Sequence, residues 1–219
     1  MRGHGGPPLE VKVWGDFACF TRPEMKVERV SYQVMTPSAA RGILAAIFWK
    51  PEFSWRIREI LVLNPIRHFS ILRNEVKNKA AVDSIEKWDK SGGAYFAEDD
   101  RAQRHTLALR DVAYIIKADV ALRPHADAPE AKYRDQFRRR VKRGQYHRAP
   151  YLGCREFTAF FAEPDGSEKP IELTDDLGRM LFDLDYEDDG SGRGIPKFFN
   201  AKLEKGVLRV PAELYGKEG

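Results

Sequence analysis

Between residues 132 and 148, Lys132, Arg134, Arg138, Arg139, Arg140, Lys142, Arg143 and Arg148 are set against a single acid, Asp135. The planar guanidinium fork binds phosphate oxygens in pairs, so this density of arginine suits a nucleic-acid backbone. Cations near a helix C-terminus also complement its dipole, which accounts for one or two of them but not for eight. RNA carries its own nucleophile, the 2′-hydroxyl. A protein that cuts it needs only a base, a cation and a way of holding the backbone in line. Lys132 could stabilise charge developing on a scissile phosphate, or be one more phosphate clamp. His147 follows the basic run and could sit beside bound phosphate.

A helix must position these groups. Asp127, Ala128, Pro129 and Glu130 resemble a capping box with the aspartate as N-cap, and the helix is expected to run to about Arg143 and stop at Gly144. At 3.6 residues per turn Tyr133, Phe137 and Val141 share one stripe, predicted to face the core. Lys132, Gln136, Arg139 and Arg143 occupy the neighbouring one.

Other chemistries find little support. The chain has no phosphate-binding GxxxxGK[ST] loop, no HExxH, no GxSxG and no histidine pair at ligand spacing. His4, His68, His105 and His125 read as scattered surface or turn residues. Cys19 and Cys154 belong to no CxxC pattern, which argues against structural zinc and a disulfide scaffold. The acids Asp175, Asp176, Asp183, Asp185, Glu187, Asp188 and Asp189 stand against Arg179. They read as a solvated surface rather than a cation site, whose ligands would converge from several elements. No metal and no cofactor is expected.

The whole chain of 219 residues carries 37 Lys and Arg against 33 Asp and Glu, a net charge of only +4, so the basic and acidic blocks matter more than the mean. No apolar run approaches the roughly 18–20 residues of a membrane span. Residues 1–8 form a flexible lead-in without a secretion signal, and a cytoplasmic location is expected.

Stretches 9–13, 55–63, 106–122, 151–161 and 177–186 read as strands, with a bend at Trp14-Gly15-Asp16. Thr36 and Pro37 open a helix that ends before Lys50-Pro51. Residues 68–104 lose periodicity and read as an insertion or loop, with a short helix near 82–88. Stretches 196–203 and 207–210 form a closing hairpin around Gly206. The order is βαββαβ followed by a β tail. We therefore expect an α+β protein with a ferredoxin-like domain (RRM-like) over 9–162 and a small antiparallel β-sheet C-terminal domain over 163–219.

Several segments together resemble the CRISPR-associated protein family five, subtype d, the repeat-RNA-processing members of subtype I-C systems. They are Val13-Trp14-Gly15-Asp16-Phe17 and the residues following it to Tyr32, Met35-Thr36-Pro37 through Leu44, and Ile47-Phe48-Trp49-Lys50-Pro51. Further on come Arg73-Asn74-Glu75-Val76, Phe137-Arg138-Arg139-Arg140, Leu152-Gly153-Cys154-Arg155-Glu156-Phe157, Leu177-Gly178 and 198–210. The resemblance implies metal-independent cleavage of precursor CRISPR RNA within its repeat hairpin. The product would stay bound by its 5′ handle, beside other subunits of a surveillance complex, and some members also bind duplex DNA. It implies catalytic groups at Phe48, where the family has Tyr or His, and at Lys132 and Tyr133, where the family has Lys followed often by His. Phe48 has no ionisable group, and Tyr133 would serve as a base only if a cationic pocket lowered its phenol. Arg41, Lys50, Arg73, Arg138, Arg139, Arg140, Lys142, Arg143 and Arg155 are the expected RNA-binding set. A non-catalytic subunit holding the 5′ handle is the alternative.

Overall fold

A computed structural model describes residues 6–25, 27–77, 82–92, 96, 98, 100–186 and 194–216. The first strand, β1 (Leu9–Ala18), buries Leu9, Val11 and Val13 on alternate positions and continues through Trp14-Gly15-Asp16, where the alternation lapses. Its antiparallel ladder on β5 (Arg101–Leu122) keeps one register from Leu9↔Ala118 to Ala18↔Leu109, skipping only the pair opposite Asp111, whose φ is +53°. A two-residue β2 (Arg29–Val30) pairs parallel to β5 within an otherwise irregular stretch.

Helix α1 (Pro37–Ile47) starts as its sequence dictates. The Thr36 hydroxyl accepts the Ala39 N–H at 3.2 Å, and proline, which has no N–H to lose, sits in the first turn. Ala40, Ile43, Leu44 and Ile47 form its buried face. Phe48 turns to extended backbone and ends it. β3 (Phe53–Val62) then pairs antiparallel to β5.

Residues 68–104 differ from the expected loop. β4 (His68–Val76) pairs residue for residue with the outer end of β5, from His68↔Leu109 to Val76↔Arg101, and α2 (Val82–Ser91) follows it. The hairpin was hidden because neither of its faces is fully covered, so its side chains alternate between exposed and half-buried rather than between apolar and polar. The strand expected over 151–161 is also mostly absent. A single Tyr151↔Thr158 bridge precedes β6 (Phe160–Ala162). Between them the chain turns at Gly153, where a φ of +84° and the close approach of the Cys19 carbonyl leave no room for a Cβ and admit only glycine.

Helix α3 (Glu130–Lys142) links β5 to β6. β7 (Asp175–Tyr186), β8 (Gly194–Glu204) and β9 (Val207–Arg209) complete the chain, with Lys205 and Gly206 both at positive φ in the last hairpin turn. Because β9 pairs with β3, the sheet order is β6-β1-β5-β3-β9-β8-β7, and β2 and β4 join it through β5. The result is a mixed α/β protein dominated by one largely antiparallel sheet. No described helix is long and apolar enough to cross a membrane.

A closing 3-10 turn (Ala212–Tyr215) packs against β3 near a bulge between Ile57 and Glu59. There the Tyr215 hydroxyl accepts the Ile57 N–H at 2.7 Å and donates to the Ile57 carbonyl at 3.0 Å. Tyr215→Phe leaves both backbone groups without their partner. It should lower unfolding free energy by about 1–3 kcal/mol, read from urea melts.

Candidate nucleic-acid interface

The basic helix begins two residues later than expected. Pro129 occupies the N-cap and offers no side-chain cap, so Asp127 is freed for another use. Its carboxylate accepts the Tyr133 hydroxyl at 3.3 Å. Glu130 opens the helix, where an acid favours the dipole, and pairs with Arg134 one turn on at 3.1 Å. The end is as expected, with Gly144 at φ +62° just beyond the Arg143 C-cap.

Tyr133, Phe137 and Val141 are buried, as the phasing predicts. Phe137 meets Trp55 with ring centroids 4.8 Å apart, and Tyr133 meets Phe53 at 5.4 Å. Phe48 packs on the same Phe53 at 5.4 Å, so positions 48 and 133 share one corner although 85 residues separate them. The Lys132 ammonium lies 6.0 Å from the Tyr133 ring. The fold therefore brings Phe48, Lys132 and Tyr133 together.

The chemistry of Tyr133 departs from expectation. Its ring is 2% exposed, and burial, with the nearby carboxylates of Glu52 and Asp127, pushes the phenol above its ordinary value. A base at neutral pH requires the opposite shift. Among the described residues no cationic pocket surrounds the hydroxyl, which instead donates to Asp127. Tyr133→Phe should accordingly change cleavage by less than about threefold, against the ~10²–10⁴ that loss of a general base produces. Single-turnover rates on the repeat RNA measure it.

The cations divide into two groups. Arg134 is 5% exposed and committed to Glu130 and the Pro7 carbonyl. Arg140 donates to the Ile47 carbonyl at 2.9 Å and lies 5.3 Å over the Phe48 ring, pinning α3 to the end of α1. Arg138 is exposed but paired with Asp135 at 3.2 Å. Arg41 is paired with Asp183 at 2.5 Å, and Arg73 with Glu75 and Glu156. For Arg73 and Arg140 above all, the structure shows an internal role where the sequence suggested an RNA contact. Lys132, Arg139, Lys142, Arg143 and Arg148 are exposed and make no ion pair among the described residues. Lys50 and Arg155 are exposed as well.

His147 is exposed, and its backbone N–H, with that of Arg148, caps the Ala46 carbonyl at 2.8 and 3.0 Å. The segment after α3 is thereby held against the end of α1. Two aromatic residues that sequence reasoning passed over stand on this surface, Trp49 at 52% and Tyr146 at 54% exposure. Exposed aromatic rings among cations are the stacking platforms of single-stranded nucleic-acid sites. Their signal was legible, since both adjoin basic residues.

Of the acidic stretch, Asp183 binds Arg41 and Asp185 binds Lys197 at 2.7 Å, while Glu187, Asp188 and Asp189 lie outside the described residues. Among the described residues no three His, Cys, Asp or Glu side chains are grouped to hold a metal. Cys19 and Cys154 are free and buried, and the fold brings them close, with the Cys154 thiol 3.7 Å from the Cys19 carbonyl.

Residues 8–211 match the family model for CRISPR-associated protein (Cas_Cas5), in its Cas5d form. The chain belongs to the Cas5d family. It is 52% identical over 222 residues to the CRISPR pre-crRNA endoribonuclease Cas5d of Thermus thermophilus, covering 94% of this chain and 93% of that one. It is 45% identical over 217 residues to the protein of the same name from Mannheimia succiniciproducens, covering 93% and 94%. A crystal structure of a CRISPR-associated protein shares the fold, with a TM-score of 0.68 at 23% identity over 97% of this chain and 96% of the other. In this Cas5d chain Phe48 has no ionisable group, and Lys132 stands exposed at the start of the cationic helix α3.

Proposed function

We propose that the chain is an endoribonuclease that cuts precursor CRISPR RNA within its repeat and keeps the 5′ handle as a subunit of a subtype I-C surveillance complex. The observation that carries this reading is the exposed set of cations on and after α3, Lys132, Arg139, Lys142, Arg143 and Arg148, free of ion pairs among the described residues, with the exposed rings of Trp49 and Tyr146 next to basic positions in the chain. It supplies phosphate contacts and stacking surfaces on one side of the corner that holds the family's catalytic positions. The 2′-hydroxyl attacks the adjacent phosphorus, the bond to the 5′ oxygen breaks, and a 2′,3′-cyclic phosphate results. Lys132 neutralises charge on the non-bridging oxygens. The route needs no metal.

The strand order β6-β1-β5-β3, antiparallel throughout and crossed by α1 and α3, supports a ferredoxin-like reading of residues 9–162. Residues 163–219 then form a second, smaller β unit joined through β9. Incubation with repeat RNA in excess EDTA tests the mechanism. Cleavage should persist, and should stop when the 2′-hydroxyl at the cut site is removed.

Phe48 and the raised Tyr133 phenol favour a second reading, a subunit that holds the 5′ handle without cutting. Tight binding of repeat RNA without product would establish it. Binding of random duplex DNA as strong as that of the repeat hairpin would point instead to general duplex recognition.

A further inference from the structure

At the corner around Lys132, Phe48 has no ionisable group and the Tyr133 hydroxyl is given to Asp127, while an exposed imidazole belongs to the loop that carries Asp127. His125 lies in the loop between β5 and α3, is exposed, and places Nε2 3.1 Å from the Pro51 carbonyl oxygen. A carbonyl only accepts, so Nε2 donates to it and Nδ1 lies on the other side of the ring. Among the described residues Nδ1 has no partner.

The loop is held firmly. The Arg123 N–H donates to the Glu52 carbonyl and the Ala126 N–H to the Arg123 carbonyl, both at 2.9 Å. Two residues beyond His125, Asp127 takes the Tyr133 hydroxyl, which fixes the loop to the residue after Lys132. Pro51, on the other side, is three residues from Phe48. Glu52 adjoins it with Oε2 buried and unpartnered. His125 is thus tethered to both segments that form the corner.

Resting on the endoribonuclease reading, we infer that His125 is a catalytic residue of this chain, the base that starts cleavage. Nδ1 takes the 2′-hydroxyl proton as the 2′ oxygen bonds to phosphorus. The departing 5′ oxygen, on the opposite apex of the in-line displacement, takes a proton from solvent as its bond to phosphorus breaks, and the imidazolium returns its proton to solvent. Protons and charge balance through solvent, without a further co-reactant. The titratable and charged groups about the loop are Lys50 and Glu52 before β3, Arg123 and Asp127 on the loop itself, and Lys132 and Tyr133 on α3.

The test is single-turnover cleavage of repeat RNA by the full chain in EDTA, with binding measured on RNA lacking the 2′-hydroxyl at the cut site. His125→Gln can keep the hydrogen bond to the Pro51 carbonyl but offers no base. It and His125→Ala should each lose about 10²–10⁴ in rate while binding holds. The acidic limb of the pH–rate profile should vanish in both, and free imidazole should restore part of the His125→Ala rate. A wild-type rate in either variant would overturn the role. So would a fall in rate matched by a fall in binding. A wild-type chain that binds but never cuts would overturn the endoribonuclease reading itself and this role with it.

Discussion

Lys132→Ala is expected to reduce single-turnover cleavage of the repeat RNA by about 10²–10³-fold, the usual effect of deleting one group that stabilises developing oxyanion charge. The expectation follows from its placement. The ammonium is exposed at the first turn of α3, makes no ion pair among the described residues and lies 6.0 Å from the ring of Tyr133. No described carboxylate competes for its charge, so a phosphate can have all of it. Removing it leaves no buried group unpaired, and the fold should be unaffected. Binding should weaken only by the loss of one phosphate contact among several. Lys132→Arg keeps the charge with a wider head and should recover part of the rate. Equal losses in rate and affinity would make Lys132 a clamp rather than a transition-state group, as would an unchanged rate.

The combined variant Arg139→Ala, Lys142→Ala, Arg143→Ala should have the largest effect on binding. Each cation that neutralises a phosphate releases condensed counterions. Three lost contacts should therefore flatten the plot of log affinity against log salt by about 2 for single-stranded RNA and nearly 3 for a duplex. Titrations at several salt concentrations read the slope directly. Arg41→Ala is the control: Asp183 already neutralises that guanidinium, and the slope should hold. A slope that stays steep in the triple variant would place the RNA on another face.

These expectations depend on a distinction that charge counting alone cannot make. Eight cations in the basic run look equivalent as text, yet Arg134 and Arg140 are consumed inside the protein. Arg134 was the harder case, because its partner beyond the helix is the Pro7 carbonyl, 127 residues away. Tyr133 shows the same limit. Its helical phase placed it correctly in the core, and burial is the main cause of its raised phenol, but the carboxylates of Glu52 and Asp127 that add to it lie off its helix.

What the sequence determined by itself was short in range. The Thr36 cap and Pro37 start of α1, the stop at Gly144 and the Tyr133–Phe137–Val141 stripe all follow from residues within a few positions of one another. Helix periodicity and capping are local interactions, so they can be read locally. The cationic character of α3 is equally a property of composition. The tertiary structure decided the rest. It made residues 68–76 and 101–109 a hairpin through backbone bonds that leave little pattern in the side chains. It set Phe48 and Tyr133 on one phenylalanine. It neutralised Arg41 and Arg73 with carboxylates 142 and 83 residues distant. It also moved His125 from a scattered surface residue to the Pro51 carbonyl, 74 residues away in the chain. Each depends on pairings between distant segments, and such pairings exist only once the sheet has formed.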